Sequence, residues 1–229
     1  MYKKLLSVIL IILPALVKAQ ETVVIKHRLT DAVKEYIEVL KTDKNIRQGV
    51  YRAMLSEGRP LAIGAYTNNV KTGTWTFYDD QKHMLQRFNY DRAELTFQAP
   101  EDTSSFCRYV VDRDIKQGDT TTRPIRIGDR YYGYINYLKL FKLPQQLEGI
   151  SNRVFTPVIE LLVSPYGRLA DFVVHLQSNI YPTQDVHMNI DALPDEDKIF
   201  IPASINREKV SCRIFITCYL TDSGQLDVE

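Results

Sequence analysis

Tyr66-Thr67-Asn68-Asn69-Val70-Lys71-Thr72-Gly73-Thr74-Trp75-Thr76-Phe77-Tyr78 is the stretch on which the fold turns. Asn68-Asn69 is a turn signal between runs of aromatic and β-branched residues, the pattern of a β-hairpin. The pattern repeats with a period of 24 residues: Gly49-Val50-Tyr51 matches Gly73-Thr74-Trp75, Leu61 matches Leu85, and Tyr66 matches Tyr90. Further turn signals stand at Thr42-Asp43-Lys44-Asn45, Ser56-Glu57-Gly58-Arg59-Pro60, Asp79-Asp80 and Asp91-Arg92. Short aromatic strands punctuated in this way read as successive antiparallel hairpins. A glycine opening a strand permits a tight bend, or lets an aromatic of the next hairpin lie over bare backbone. One hairpin cannot bury its own face, so the array must stack. At the start of this half, Val33 to Leu40 fits a strand, but Val33, Ile37 and Leu40 also fit a helical stripe.

Gly49-x-Tyr51, Gly64-x-Tyr66 and Gly73-x-Trp75-x-x-Tyr78 resemble the MORN-type repeat of the bacterial YwqK-like antitoxin proteins, over about residues 33–98. That resemblance implies the fold, a stacked hairpin array. Tyr51, Tyr66, Trp75, Tyr78 and Tyr90 are then the core of a thin sheet, which needs their buried area for stability. The same rings are also a candidate binding face, since Tyr and Trp bury large area at low entropic cost.

The second half changes character. Tyr131, Tyr134, Ile135 and Leu138 form a helical stripe closed by Pro144. Val154 to Val163 and Leu169 to Gln177 are strands joined by a tight turn at Ser164-Pro165-Tyr166-Gly167. Ala170, Phe172, Val174 and Leu176 form one apolar face of the second strand. Val210 to Leu220 alternates, with Val210, Cys212, Ile214, Ile216, Cys218 and Leu220 facing one way. Helix, strand, strand, irregular segment, strand is the order of a small α+β layer. Leu143-Pro144, Gly149-Ile150, the hairpin at Gly167 and Phe200-x-Pro202-Ala203-x-x-Asn206-x-x-x-Val210 resemble the C-terminal domain of TonB-type proteins, over about residues 124–220. Asn152 stands where that family usually has Gly, and Pro182 and Pro194 interrupt its second helix. The resemblance implies that the last strand pairs with an extended peptide along an open edge, where Arg213, Phe215 and Tyr219 supply selectivity.

The chain opens with Lys3 and Lys4, then an apolar run from Leu5 to Val17 broken by Ser7 and Pro14. Val17-Lys18-Ala19 places small residues where a signal peptidase reads, so cleavage is expected between Ala19 and Gln20. The run is shorter than the roughly 18–20 residues that span a bilayer. Loss of Lys3, Lys4 and Lys18 from 29 basic residues leaves 26 against 28 acidic, a net charge of −2. Such a balance does not draw the chain to nucleic acid or to an anionic membrane. Cys212 and Cys218 are about 20 Å apart along one strand, beyond disulfide reach. Only Cys107 is left to pair with either, and all three read as small apolar core residues.

Motifs for chemistry are scarce. The sequence holds no His-Glu-x-x-His, Gly-x-Ser-x-Gly or phosphate-binding loop. Asp185 and His187 share a strand face but lack a third ligand nearby. Asp195-Glu196-Asp197 reads as a solvated turn. Asp171 and His175 are about 13 Å apart on one strand, too far for a dyad, with His175 on the less apolar face.

The expected architecture is mostly β with α+β: a leader (1–19), a MORN-like antiparallel hairpin array (20–98), a connecting segment (99–123), a TonB-C-like α+β domain (124–220) and a flexible tail (221–229). The expected function is that of an exported, non-enzymatic adaptor of a bacterial envelope, periplasmic or else extracellular and without cofactor, that recognises a protein or peptide. One rival is an energy-coupling component for an outer-membrane transporter, which requires a retained membrane anchor. The other is an enzyme without a recognisable motif, which requires a polar pocket of converging acids or histidines.

Overall fold

The computed structural model describes residues 21–100, 106–147 and 152–228. The leader, its cleavage point at Ala19 and Gln20, and Gly149-Ile150 lie outside the described residues. The chain is mostly β, and its strand pairings are antiparallel.

The first half is a seven-stranded meander in chain order: β1 (Thr22–Arg28), β2 (Val33–Leu40), β3 (Arg47–Leu55), β4 (Pro60–Thr67), β5 (Val70–Tyr78), β6 (Met84–Asn89) and β7 (Glu94–Gln98). All five turn signals fall at the joins of consecutive strands, with Pro60 opening β4. Asn68 and Asn69 have φ of 48° and 69°, the paired left-handed conformation of a type I′ hairpin turn. Val33 to Leu40 is a strand: pairing with β1 and β3 imposes period two and buries Val33, Glu35, Ile37 and Val39 on one face. A helical stripe would not have buried Glu35.

Trp75 organises the array. Its indole stacks on Tyr51 at 5.0 Å and meets Tyr66 and Tyr90 edge-on at 5.3 and 5.6 Å. It lies over Gly64, where a methyl group would sit 2.1 Å from the ring. Aromatic cover over bare backbone therefore occurs at Gly64, in the middle of β4. Gly73 has open space around it and is needed for its φ of +64° instead.

The second half contains β8 (Cys107–Val111), β9 (Thr121–Thr122), β10 (Ile125–Arg126), α1 (Ile135–Leu140), β11 (Thr156–Val163), β12 (Leu169–Gln177), β13 (Gln184–His187), β14 (Phe200–Ile201), β15 (Ala203–Ile205), β16 (Glu208–Val210), β17 (Cys212–Thr217), β18 (Tyr219–Leu220) and β19 (Leu226–Asp227). Its main sheet has the order β13-β12-β11-β17-β8. Tyr134, Tyr137 and Leu138, on α1 and the turn before it, share a core with Ile159, Phe172, Val174 and Ile214 of that sheet.

Four expectations are corrected here. The connecting segment supplies a strand of the main sheet, because Cys107 and the partly buried Tyr109 complete the apolar face begun by β17. The tail is docked: Leu226, Asp227 and Val228 are buried, and β19 pairs with β18. The last strand is broken into β16, β17 and β18, although its six alternating residues are all buried. Ala170 points outward and Leu169 inward, because the β11–β12 register shifts at Val163.

The two halves pack together. Ile135 of α1 is buried in the core of the array, and Tyr132 lies 5.4 Å from Phe77. Gln86 is fully buried at the joint. Its amide donates to the Arg126 carbonyl at 3.1 Å, and its Oε1 accepts from Gly128 N–H at 2.8 Å. No described helix is long and apolar enough to cross a membrane.

Candidate functional site

A cleft of about 490 Å³ opens where the array meets the second half. Its wall on the array side carries Tyr51, Tyr66 and Tyr90, three of the aromatics expected as core or binding face; Tyr51 and Tyr66 are buried and Tyr90 is half-buried. Trp75 lies behind them, fully buried. Gly49, Gly64 and Gly73 shape the strands beneath. Tyr78 is half-buried on the opposite side of β5 from Trp75 and Phe77, and does not line the cleft.

Strand pairing brings charged groups into this aromatic setting. Tyr132 donates to the Tyr51 hydroxyl at 2.9 Å, and Tyr51 donates to Glu35 Oε2 at 3.0 Å, a relay that ends on a buried carboxylate. Arg47 donates to the Tyr66 hydroxyl at 3.2 Å and stacks over that ring. Lys71 sits over Trp75 and Tyr90 and pairs with Glu196 at 2.8 Å, which ties β5 to the second half. Burial pushes the Tyr66 phenol up to about 12 despite Arg47 beside it. Burial, reinforced by the Glu35 charge, also raises Tyr51, and burial raises Tyr90 and Tyr132. All four remain neutral donors at physiological pH.

The floor on the other side is a buried ion pair. Arg126 binds Asp197, and Asn136 donates to the second Asp197 oxygen at 2.7 Å. Arg126 also donates to the carbonyls of Gly133, Glu196 and Ile199. The acidic run is thus corrected in part: Asp195 and Glu196 face solvent, but Asp197 is buried. The run bears no sign of this, because Arg126 lies 71 residues away.

The expected peptide-reading residues fall elsewhere. β17 is an interior strand held between β11 and β8, so Arg213 and Phe215 do not line an open edge. Arg213 pairs with Glu160 and Asp112, and Phe215 is covered by the Arg108 guanidinium at 4.4 Å. Tyr219 lies on β18, in a separate pocket with Tyr131 and Asp227. The open edge next to β17 belongs to β8. Along it runs a groove of about 830 Å³, bounded on the far side by Thr121 to Ile125 and containing Arg108, Val110, Arg113, Ile115 and Arg123.

On the outer face of the main sheet, His175 bridges Asp185 at 2.7 Å and Glu160 at 2.8 Å. With Arg213 they form a charged row across four strands. Asp171 makes no direct bond to His175, but its charge is felt by Arg213 of the row. Asp185 is engaged by His175, and among the described residues no group of three donors is placed to hold a metal ion. Cys107, Cys212 and Cys218 are buried thiols. Burial raises Cys212 to about 11 and Cys218 higher still, so both stay protonated.

Comparison of the chain with protein-family models, curated proteins and solved structures gave no match.

Proposed function

We propose that this chain is an exported, non-enzymatic adaptor of a bacterial envelope that binds an extended segment of a partner protein along β8. One observation carries the reading: β8 ends the main sheet, and a groove of about 830 Å³ lies against it. A segment added there gains main-chain hydrogen bonds, while alternate side chains meet the groove walls. Those walls hold Val110, which is 38% exposed, and Ile115, which is 59% exposed, beside Arg108 over Phe215, Arg113 paired with Glu208 and Arg123 bonded to the Tyr109 hydroxyl. An extended segment with apolar residues at alternate positions suits Val110 and Ile115. The MORN-like and TonB-C-like resemblances fit the same reading, with the recognition edge moved from β17 to its neighbour. The leader supports export, and the second half that carries the edge is packed against the array through Ile135 and Gln86.

The test selects extended peptides against the mature protein and then methylates the backbone nitrogens of a selected peptide one at a time. Strand addition at β8 gives a loss of affinity that alternates with period two, together with backbone amide shifts at Val110 and Val111. Equal tolerance at every nitrogen, or shifts confined to other strands, refutes the reading.

A further inference from the structure

Outside the β8 groove, the cleft between the halves holds two opposite charges that do not neutralise each other. Glu35 is 8% exposed and makes one close hydrogen bond, from Tyr51 to Oε2. Among the described residues, its Oε1 has one charged partner, His27, at 3.9 Å. Arg47 uses one N–H on the Tyr66 hydroxyl and makes no ion pair with any described residue. The two groups line one cavity and feel each other's charge, yet form no salt bridge. Lys139 stands on the opposite wall, exposed and without a carboxylate partner among the described residues. The other charges of the cleft are already matched, Lys71 with Glu196 and Arg126 with Asp197.

A carboxylate and a guanidinium with unused hydrogen-bonding capacity, on a cavity wall that also carries Tyr51 and Tyr66, form a two-pole site. An apolar ligand would desolvate both poles without replacing their water, which is costly. A purely anionic ligand would satisfy Arg47 and Lys139 and leave Glu35 facing it. A ligand bearing both an ammonium and a carboxylate on an apolar body satisfies every group. The volume lies within the usual range for small-molecule pockets, about 300–1,000 Å³.

We infer that the cleft binds a small zwitterion of the amino-acid or dipeptide class with an aromatic side chain, its ammonium at Glu35 and its carboxylate at Arg47 and Lys139. The ring of the ligand packs against Tyr90 and Phe88. This site is independent of the β8 groove, and either can fail without the other.

The test uses the mature protein and four spectroscopically silent probes: L-phenylalanine, phenylalanyl-alanine, N-acetyl-L-phenylalanine and L-phenylalanine amide. Binding is read by calorimetry and by the emission of Trp75, the one tryptophan of the chain, which touches the Tyr90 wall. At least one of the two zwitterions should bind about tenfold or more tightly than either blocked derivative, the loss expected for one charge-assisted hydrogen bond. Glu35→Gln should abolish the discrimination against the N-acetyl compound, and Arg47→Gln that against the amide. Both variants keep a partner for the neighbouring tyrosine or leave it solvated, so a melting curve near that of the wild type accompanies the binding data. If Glu35→Gln does not fold, Arg47→Gln with Lys139→Gln tests the carboxylate pole alone. No binding of either zwitterion at millimolar concentration overturns the inference. So does equal binding of all four probes, or tightest binding of the N-acetyl compound.

Discussion

Alanine at Gly64 puts a methyl carbon 2.1 Å from Cδ2 and 2.2 Å from Cε2 of Trp75. Carbon atoms rest at about 3.5–4.0 Å, so the indole must retreat by about 1.5 Å or β4 and β5 must part. The indole has no room to retreat. It is completely buried, Tyr51, Tyr66 and Tyr90 touch it on three sides, and its Nε1 donates to the Ala65 carbonyl at 3.2 Å. Overpacking a core costs about 1–3 kcal/mol, and a ring confined in this way places Gly64→Ala at the upper end, about 3 kcal/mol. In a chain of this size that lowers Tm by about 6–12 °C. Gly73→Ala is the internal control. It meets nothing within 4 Å but carries φ +64°, so backbone strain alone should cost about 1–2 kcal/mol. Urea unfolding followed by Trp75 emission measures both variants, and emission of the folded state reports any displacement of the ring. The reasoning is refuted if Gly64→Ala is no more destabilising than Gly73→Ala and leaves native emission unchanged.

Three other predictions address the joint and the outer face. Gln86→Leu removes the side-chain partners of the Arg126 carbonyl and the Gly128 N–H and should cost about 2–4 kcal/mol in urea titration; a loss under 1 kcal/mol would show that the joint contributes little. Arg126→Met leaves Asp197 buried without its cation and should cost about 3–5 kcal/mol, with Asp197→Leu in the same chain recovering part of it; a double variant no more stable than the single would contradict this. The third concerns pH. Burial pulls the His175 imidazole down, but its bonds to Asp185 and Glu160 prevail and hold its pKa above the ordinary 6.5. Burial pushes Glu160 up, but His175 and Arg213 prevail and hold it below 4.5. The stability from His175 is therefore complete below pH 6.5 and is lost as pH rises through its folded value. That from Glu160 is complete above pH 4.5 and is lost as pH falls through its folded value. Unfolding midpoints should be highest between these limits, and His175→Gln should flatten the alkaline side; an unchanged alkaline slope would rule the row out as its source.

The sequence by itself determined whatever depends on neighbours a few residues apart. Asn68-Asn69 sets a hairpin because both residues tolerate positive φ, and the 24-residue recurrence of Tyr51 and Trp75 stacks successive hairpins ring on ring. Alternation from Val210 to Leu220 assigns both cysteines to the core without knowledge of any partner strand, since period two is a property of one strand alone. What only the tertiary structure decided are relations between distant segments. An edge is not a property of a strand's own residues, and β17 lost that role because Cys107–Val111, about 100 residues earlier, pairs with it. Gln86, Asp197 and the last residues of the chain look like surface residues in sequence because polar side chains usually are. They are buried because each finds its partner across the fold: Gln86 at the Arg126–Gly128 backbone, Asp197 at Arg126 and Asn136, Asp227 at the Tyr131 hydroxyl. Burying a polar group requires a fixed partner, and only the folded chain holds such partners in place. The cleft has the same origin, since Glu35, Arg47, Lys139 and Glu196 share a cavity only once the array and the second half have packed.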